Sequence, residues 1–127
     1  MRTALALPLL LGLCAPDETI SGHADRDTTW HLTELNGVPA AFEATLRFPE
    51  AGRVVGTGPC NGFAARQGAP YPWIAIEAIV ATRRACPDLD GEAAFFRALG
   101  AAKLVEASDA MLLLTDDLGR VTAFEAR

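Results

Sequence analysis

The chain has 127 residues, 50% of them hydrophobic, and a formal net charge of −5. With 11 Lys and Arg against 16 Asp and Glu it has no basic stripe to neutralise phosphates, which excludes nucleic acid as a partner. The acidity is read as solubility, and the length allows one hydrophobic core.

Arg2 is the single charge at the start, and Ala4 to Leu13 is apolar apart from Pro8 and Gly12. A run of about ten apolar residues is the length of a signal-peptide core and well short of the roughly 20 needed to span a bilayer as a helix. A buried first helix fits poorly, because Pro8 would interrupt it and no polar face exists. The run ends at Leu11-Gly12-Leu13-Cys14, a lipoprotein-type signal in which Cys14 becomes the acylated first residue. Leu13 departs from the pattern, which has a small residue there. The alternative is plain secretion with cleavage after Ala24. Ala15 after the lipidated Cys points to the outer membrane facing the periplasm; without the lipid the protein is soluble in the periplasm or secreted. Residues 1–13 are thus expected as signal peptide, 14–28 as a flexible tether and 29–127 as the folded domain.

Within the domain, Thr29 to Leu35 alternates Trp30 and Leu32 with polar neighbours, as a half-buried strand does, and Asn36-Gly37 signals a turn. Ala44 to Phe48 is a second strand, expected to stop at Pro49. Arg53 to Thr57 is a third and Phe63 to Gln67 its return partner. Trp73 to Ile76 reads as a strand, and Ala78 to Ala85 fits strand or loop. The period then changes: Leu89, Glu92, Phe96 and Leu99 fall on successive turns of a helix of about residues 89–101. Asp88 or Asp90 is expected to cap it, with Glu92 complementing its dipole. Lys103 to Ala107, Met111 to Thr115 and Arg120 to Glu125 are short strands joined by hairpin turns. The expected class is α+β, a curved antiparallel sheet of short strands packed against one main helix.

Cys60 and Cys86 remain as an even pair once Cys14 is set aside. An oxidising periplasm allows a disulfide between them; two buried free thiols are the alternative. His23 and His31 show no metal-ligand spacing with either cysteine, so no metal and no cofactor is expected. A Cys60–His31 nucleophile pair would need His31 to point away from its strand's apolar face. Asn61, in a Gly-Pro-Cys-Asn-Gly turn, suits local backbone bonding or a polar contact in a groove. Thr82 and Arg83 suit backbone satisfaction and a salt bridge, or the rim of a binding surface.

These motifs in order, Trp30-x-Leu32, Leu35-Asn36-Gly37, Cys60-Asn61-Gly62-Phe63, Ala81-Thr82-Arg83-Arg84-Ala85-Cys86, Glu92 with Phe95-Phe96 and Leu99, then Leu112 to Asp116, resemble the META domain, also called HslJ-like. The resemblance covers Trp30 to Phe124. It implies a small bacterial envelope protein, often a lipoprotein, in a family with a heat-shock-associated member linked to novobiocin tolerance and no catalytic mechanism established for the class. The function expected on this basis is non-enzymatic: a monomeric lipoprotein, membrane-bound through Cys14, that binds an envelope partner in envelope stress or antibiotic tolerance. The other expectation is a periplasmic module binding an apolar small ligand between helix and sheet, near Trp73 and Phe96.

Overall fold

The computed structural model describes residues 16–127. Its elements are a 3-10 turn (Ile20–Gly22), β1 (Trp30–Leu35), β2 (Val38–Pro39), β3 (Thr45–Glu50), β4 (Arg53–Thr57), β5 (Gly62–Gln67), β6 (Ile76–Ala81), α1 (Leu89–Ala101), β7 (Ala102–Ala107), β8 (Met111–Asp116) and β9 (Val121–Ala126). The expected α+β class holds, as a curled antiparallel half-barrel with one main helix. No helix among the described residues is long and apolar enough to cross a membrane.

One sheet runs in the order β6-β5-β4-β3-β1-β9-β8-β7, with β2 attached to β1. Two meanders, β3 to β6 and β7 to β9, therefore lie on either side of β1, which joins them. The curl draws the far ends together: Ile74 N–H donates to the Lys103 carbonyl at 2.9 Å and Val105 N–H to the Pro72 carbonyl at 2.8 Å. Inward positions alternate along the strands, so Trp30 and Leu32, Leu46 and Phe48, Phe63 and Ala65, and Leu112 and Leu114 share one core. Helix α1 covers that core with Phe95 and Leu99, both fully buried. Phe95 meets Phe63, Phe42 and Phe124 edge-on at ring separations of 6.0, 6.5 and 6.3 Å.

One local expectation holds and three change. The Asn36-Gly37 turn, with φ of 51° and 83°, turns the chain into β2, a short return strand paired through Leu35 and Val38. Pro49 does not end β3; a register shift between Arg47 and Glu50 takes up the residue that cannot donate to the ladder. Trp73 to Ile76 is not a strand: Trp73 only bridges to Leu104, and β6 starts at Ile76. The amides before Ile76 are engaged elsewhere, Trp73 N–H on the Pro70 carbonyl and Ala75 N–H on Gln67 Oε1. Asp88 occupies the helix N-cap position without a side-chain capping bond.

The expected tether is also corrected over its described part, residues 16–28. Ile20 is 2% exposed and belongs to the core. Asp17 accepts hydrogen bonds from the Thr19 amide and hydroxyl, the Ser21 hydroxyl and Arg26 Nη2, and Tyr71 N–H donates to the Glu18 carbonyl at 2.7 Å. The reason is local: Asp-x-Thr-x-Ser closes a side-chain-bonded turn, and that turn points the one large apolar side chain of the segment inward. Cys14 lies outside the described residues.

Candidate functional site

The turn between β4 and β5 carries Cys60 and Asn61, and the loop after β6 carries Thr82 to Cys86. A disulfide joins Cys60 to Cys86, with Cα atoms 5.7 Å apart, so the even pair expected from the sequence is bridged. The Cys60–His31 pair is thereby ruled out, because the sulfur is not a free thiol.

Asn61 is the hub. Its Nδ2 donates to Glu92 Oε1 at 2.6 Å and to the Arg84 carbonyl at 3.1 Å. Its Oδ1 accepts from Thr82 Oγ1 at 2.8 Å and from Arg84 N–H at 2.6 Å. Both hydrogens and both lone pairs of this buried amide are thus satisfied. Of the roles weighed for Asn61, the local structural one is what the geometry displays: it staples two loops to a helix. Thr82 serves the same staple through its hydroxyl. Arg83, for which a salt bridge was one expectation, makes none among the described residues; it is exposed.

Glu92 has a different role from the expected one. It is 4% exposed on the inner face of α1. Its Oε2 accepts from the Cys60 and Asn61 amides at 2.9 and 2.7 Å, in addition to the Asn61 side chain on Oε1. Burial pushes its pKa up, but the hydrogen bonds from the Asn61 side chain and the Cys60 and Asn61 amides outweigh burial and hold it below the usual glutamate value. The close approach needs Gly58: a Cβ there would stand 2.5 Å from Glu92 Oε2. Gly-Pro-Cys-Asn-Gly is therefore a turn built to receive a carboxylate from a helix 31 residues further along the chain.

Over this staple lies an open cleft of about 460 Å³ lined by Asn61, Thr82, Arg83, Arg84, Leu89 and Phe96, among others. Asn61, Thr82 and Arg83 are thus brought together as the sequence suggested, and Arg84, Leu89 and Glu92 join them. Trp73 does not line it. It sits across the sheet seam from Leu104 and is 56% exposed, so a pocket shared by Trp73 and Phe96 is not formed. Among the described residues no three His, Cys, Asp or Glu side chains converge as a metal ion would require.

Fold and site together define a small α+β half-barrel domain whose main helix is pinned to a disulfide-bridged turn. The sequence matches the META domain family over residues 23–127, and the chain belongs to that family. Solved structures share the architecture. One, determined by NMR for a protein from Burkholderia xenovorans, is 20% identical with a TM-score of 0.66, covering 97% of this chain and 99% of that one. Another, a crystal structure of a DUF4847 family protein from Bacteroides vulgatus, is 15% identical with a TM-score of 0.60, covering 84% and 96%. A further NMR structure is 17% identical with a TM-score of 0.59, covering 79% and 89%. At these identities the likeness is one of fold. No curated protein matches the sequence.

Proposed function

We propose that this is a non-enzymatic protein of the cell envelope, exported and lipid-anchored at Cys14, that works by recognising a partner at the Asn61 cleft. The observation that carries the reading is the state of the groups beneath the cleft. Cys60 is oxidised to a disulfide and Glu92 accepts three N–H donors, so the groups suited to nucleophilic or proton-transfer chemistry are committed to holding the loops. What faces outward is Arg83, Arg84, Leu89 and Phe96 on a fixed frame, a recognition surface. Anchoring supports the same reading through the Ala4–Leu13 run that ends at Cys14. The role sought is in envelope stress or antibiotic tolerance.

Ala85 lines the cleft and is exposed, so Ala85→Trp fills it while leaving the staple intact. A deletion strain complemented with wild type should regain its tolerance of envelope stress, and one complemented with folded Ala85→Trp should not. Equal complementation by both would remove the cleft from the function. Labelling cells with a radioactive fatty acid, with Cys14→Ala as control, tests the anchor; equal labelling of both proteins would refute it.

A further inference from the structure

We infer that the cleft takes an oxyanion carried on an apolar body, an amphiphile whose carboxylate or phosphate monoester lies against Arg83 and Arg84 and whose apolar part lies on Leu89 and Phe96. This rests on the reading of the cleft as the recognition site and names the class of its occupant.

Three observations converge. First, two consecutive arginines line the cleft, and among the described residues neither guanidinium is within ion-pair or hydrogen-bond reach of a protein acceptor. Arg26, Arg53, Arg120 and Arg127 are ion-paired, whereas Arg47, Arg66 and Arg97 are not, so what distinguishes Arg83 and Arg84 is that two adjacent guanidinium groups without protein partners line one cleft. Guanidinium forks suit carboxylate and phosphate oxygens. Second, the main chain under the arginines is fixed. Asn61 holds both the N–H and the carbonyl of Arg84 and the hydroxyl of Thr82, and the Cys60–Cys86 bridge closes the loop just beyond. An anion would meet charges whose backbone is already ordered, which lowers the entropic cost of binding. Third, the cleft has an apolar wall. Leu89 is 43% exposed and Phe96 is half-buried beside it, and the volume of about 460 Å³ is that of a small-ligand site.

The carboxylate of Glu92 also lines the cleft, and it bears on the sign of the local field. Its one negative charge is buried and held by three N–H groups, whereas the two guanidinium charges lining the cleft are exposed and have no protein partner, which leaves one positive charge in excess among the lining residues. Asp88 and Asp90, at the same end of α1, do not line the cleft. The net local charge seen by an entering group is therefore positive, in a chain that is acidic overall.

The test uses the processed chain beginning at position 14, with Cys14→Ala so that no attached lipid competes. Octanoate, octyl phosphate, uncharged octyl glucoside and inorganic phosphate are each titrated while amide resonances are followed by NMR. The expected result is that octanoate and octyl phosphate shift Thr82, Arg83, Arg84 and Phe96. Octyl glucoside and inorganic phosphate should each bind at least tenfold more weakly. Arg83→Gln with Arg84→Gln should weaken octyl phosphate at least tenfold while the far-sheet resonances of β8 and β9 stay in place. Equal binding of octyl glucoside would overturn the anion class, and equal binding of inorganic phosphate would overturn the amphiphile. Unchanged affinity in the double variant, or no shift with any probe, would overturn the inference as a whole. The parent reading is judged separately, by the complementation with Ala85→Trp.

Discussion

Replacing Glu92 by Gln changes little in size and tests the staple directly. All three groups that reach Glu92 are donors: the Cys60 amide, the Asn61 amide and Asn61 Nδ2. Gln offers one oxygen and one NH2. If its oxygen keeps the two amides, its NH2 confronts Asn61 Nδ2. If Asn61 rotates to offer Oδ1, its Nδ2 then confronts the Arg84 N–H now held by Oδ1 at 2.6 Å. In every arrangement at least one buried donor is left without an acceptor, at about 1–3 kcal/mol, and the remaining bonds lose their charge assistance. The expected total is about 2–4 kcal/mol of unfolding free energy. Asn61→Asp alone sets a second carboxylate against Glu92 and should also destabilise at neutral pH. Combining Glu92→Gln with Asn61→Asp restores the match. The introduced carboxylate accepts from the introduced amide and still accepts from Thr82 and Arg84; the Arg84 carbonyl loses its donor and faces a carboxylate oxygen, a cost already present in Asn61→Asp alone and therefore cancelled in the cycle. Urea unfolding of the oxidised proteins at pH 7 should then give a favourable coupling of about 1–3 kcal/mol in the double-mutant cycle. A cost below about 0.5 kcal/mol for Glu92→Gln, at the level of ordinary surface substitutions, or additive effects of the pair, would refute the donor-counting argument.

Three further outcomes are expected. Glu92 and Asp17 both titrate below their ordinary values of 4.5 and 3.8 in the folded state, Asp17 at about 2, because hydrogen bonds outweigh burial. Depressed folded values mean that this stability is fully present above about pH 4.5 to 5 and is lost as the pH falls toward the folded values; Glu92→Gln should flatten the slope of unfolding free energy against pH just below that range. Reducing the Cys60–Cys86 bridge, which spans 26 positions, should cost about 3.5 kcal/mol by the chain-entropy relation, read as a lower urea midpoint in reductant, and an unchanged midpoint would count against it. Ile20→Ala should cost about 2–4 kcal/mol if Ile20 is part of the core, whereas a free tether would give no change in thermal midpoint.

The alternation of Trp30 with Leu32 and the switch to a helical period at Leu89 carried most of the fold, because those patterns report which face of an element is buried. What escaped the sequence has a common physical origin in non-local hydrogen bonding. Trp73 to Ala75 has strand composition, yet its amides bond to the Pro70 carbonyl, to Lys103 of β7 in one isolated bridge and to the Gln67 side chain, rather than to a continuous ladder. Residues 16–28 have the composition of a tether, yet a few side-chain bonds to Asp17 fold them around one buried isoleucine. At the site, Asn61 and Thr82 were legible from their turn and motif. Glu92 was legible as a residue but not as a role, since an acidic side chain in the first turn of a helix already has a sufficient local explanation in the dipole. The one cue was Gly58, whose lack of a side chain makes room for a partner that the sequence alone does not name.

The staple also bears on binding at the proposed cleft. A loop of five exposed or half-exposed residues, Thr82 to Cys86, would ordinarily sample many conformations, and any ligand would bear the entropic cost of ordering it. Here that ordering is a by-product of folding. The carboxylate of α1 fixes the β4–β5 turn, the turn's amide fixes the loop after β6, and the disulfide closes the circuit. The positions of Arg83 and Arg84 are thereby linked to the stability of the helix, and weakening the staple should lower affinity at the cleft even when both arginines are present. Asn61→Ala, studied under conditions where it is still fully folded, separates the two contributions. If Asn61 acts only through the order of the loop, the variant should bind octyl phosphate more weakly than wild type, and strengthening the fold by other means should not restore the loss. Undiminished binding in that variant would show that the arginines need no preorganised frame.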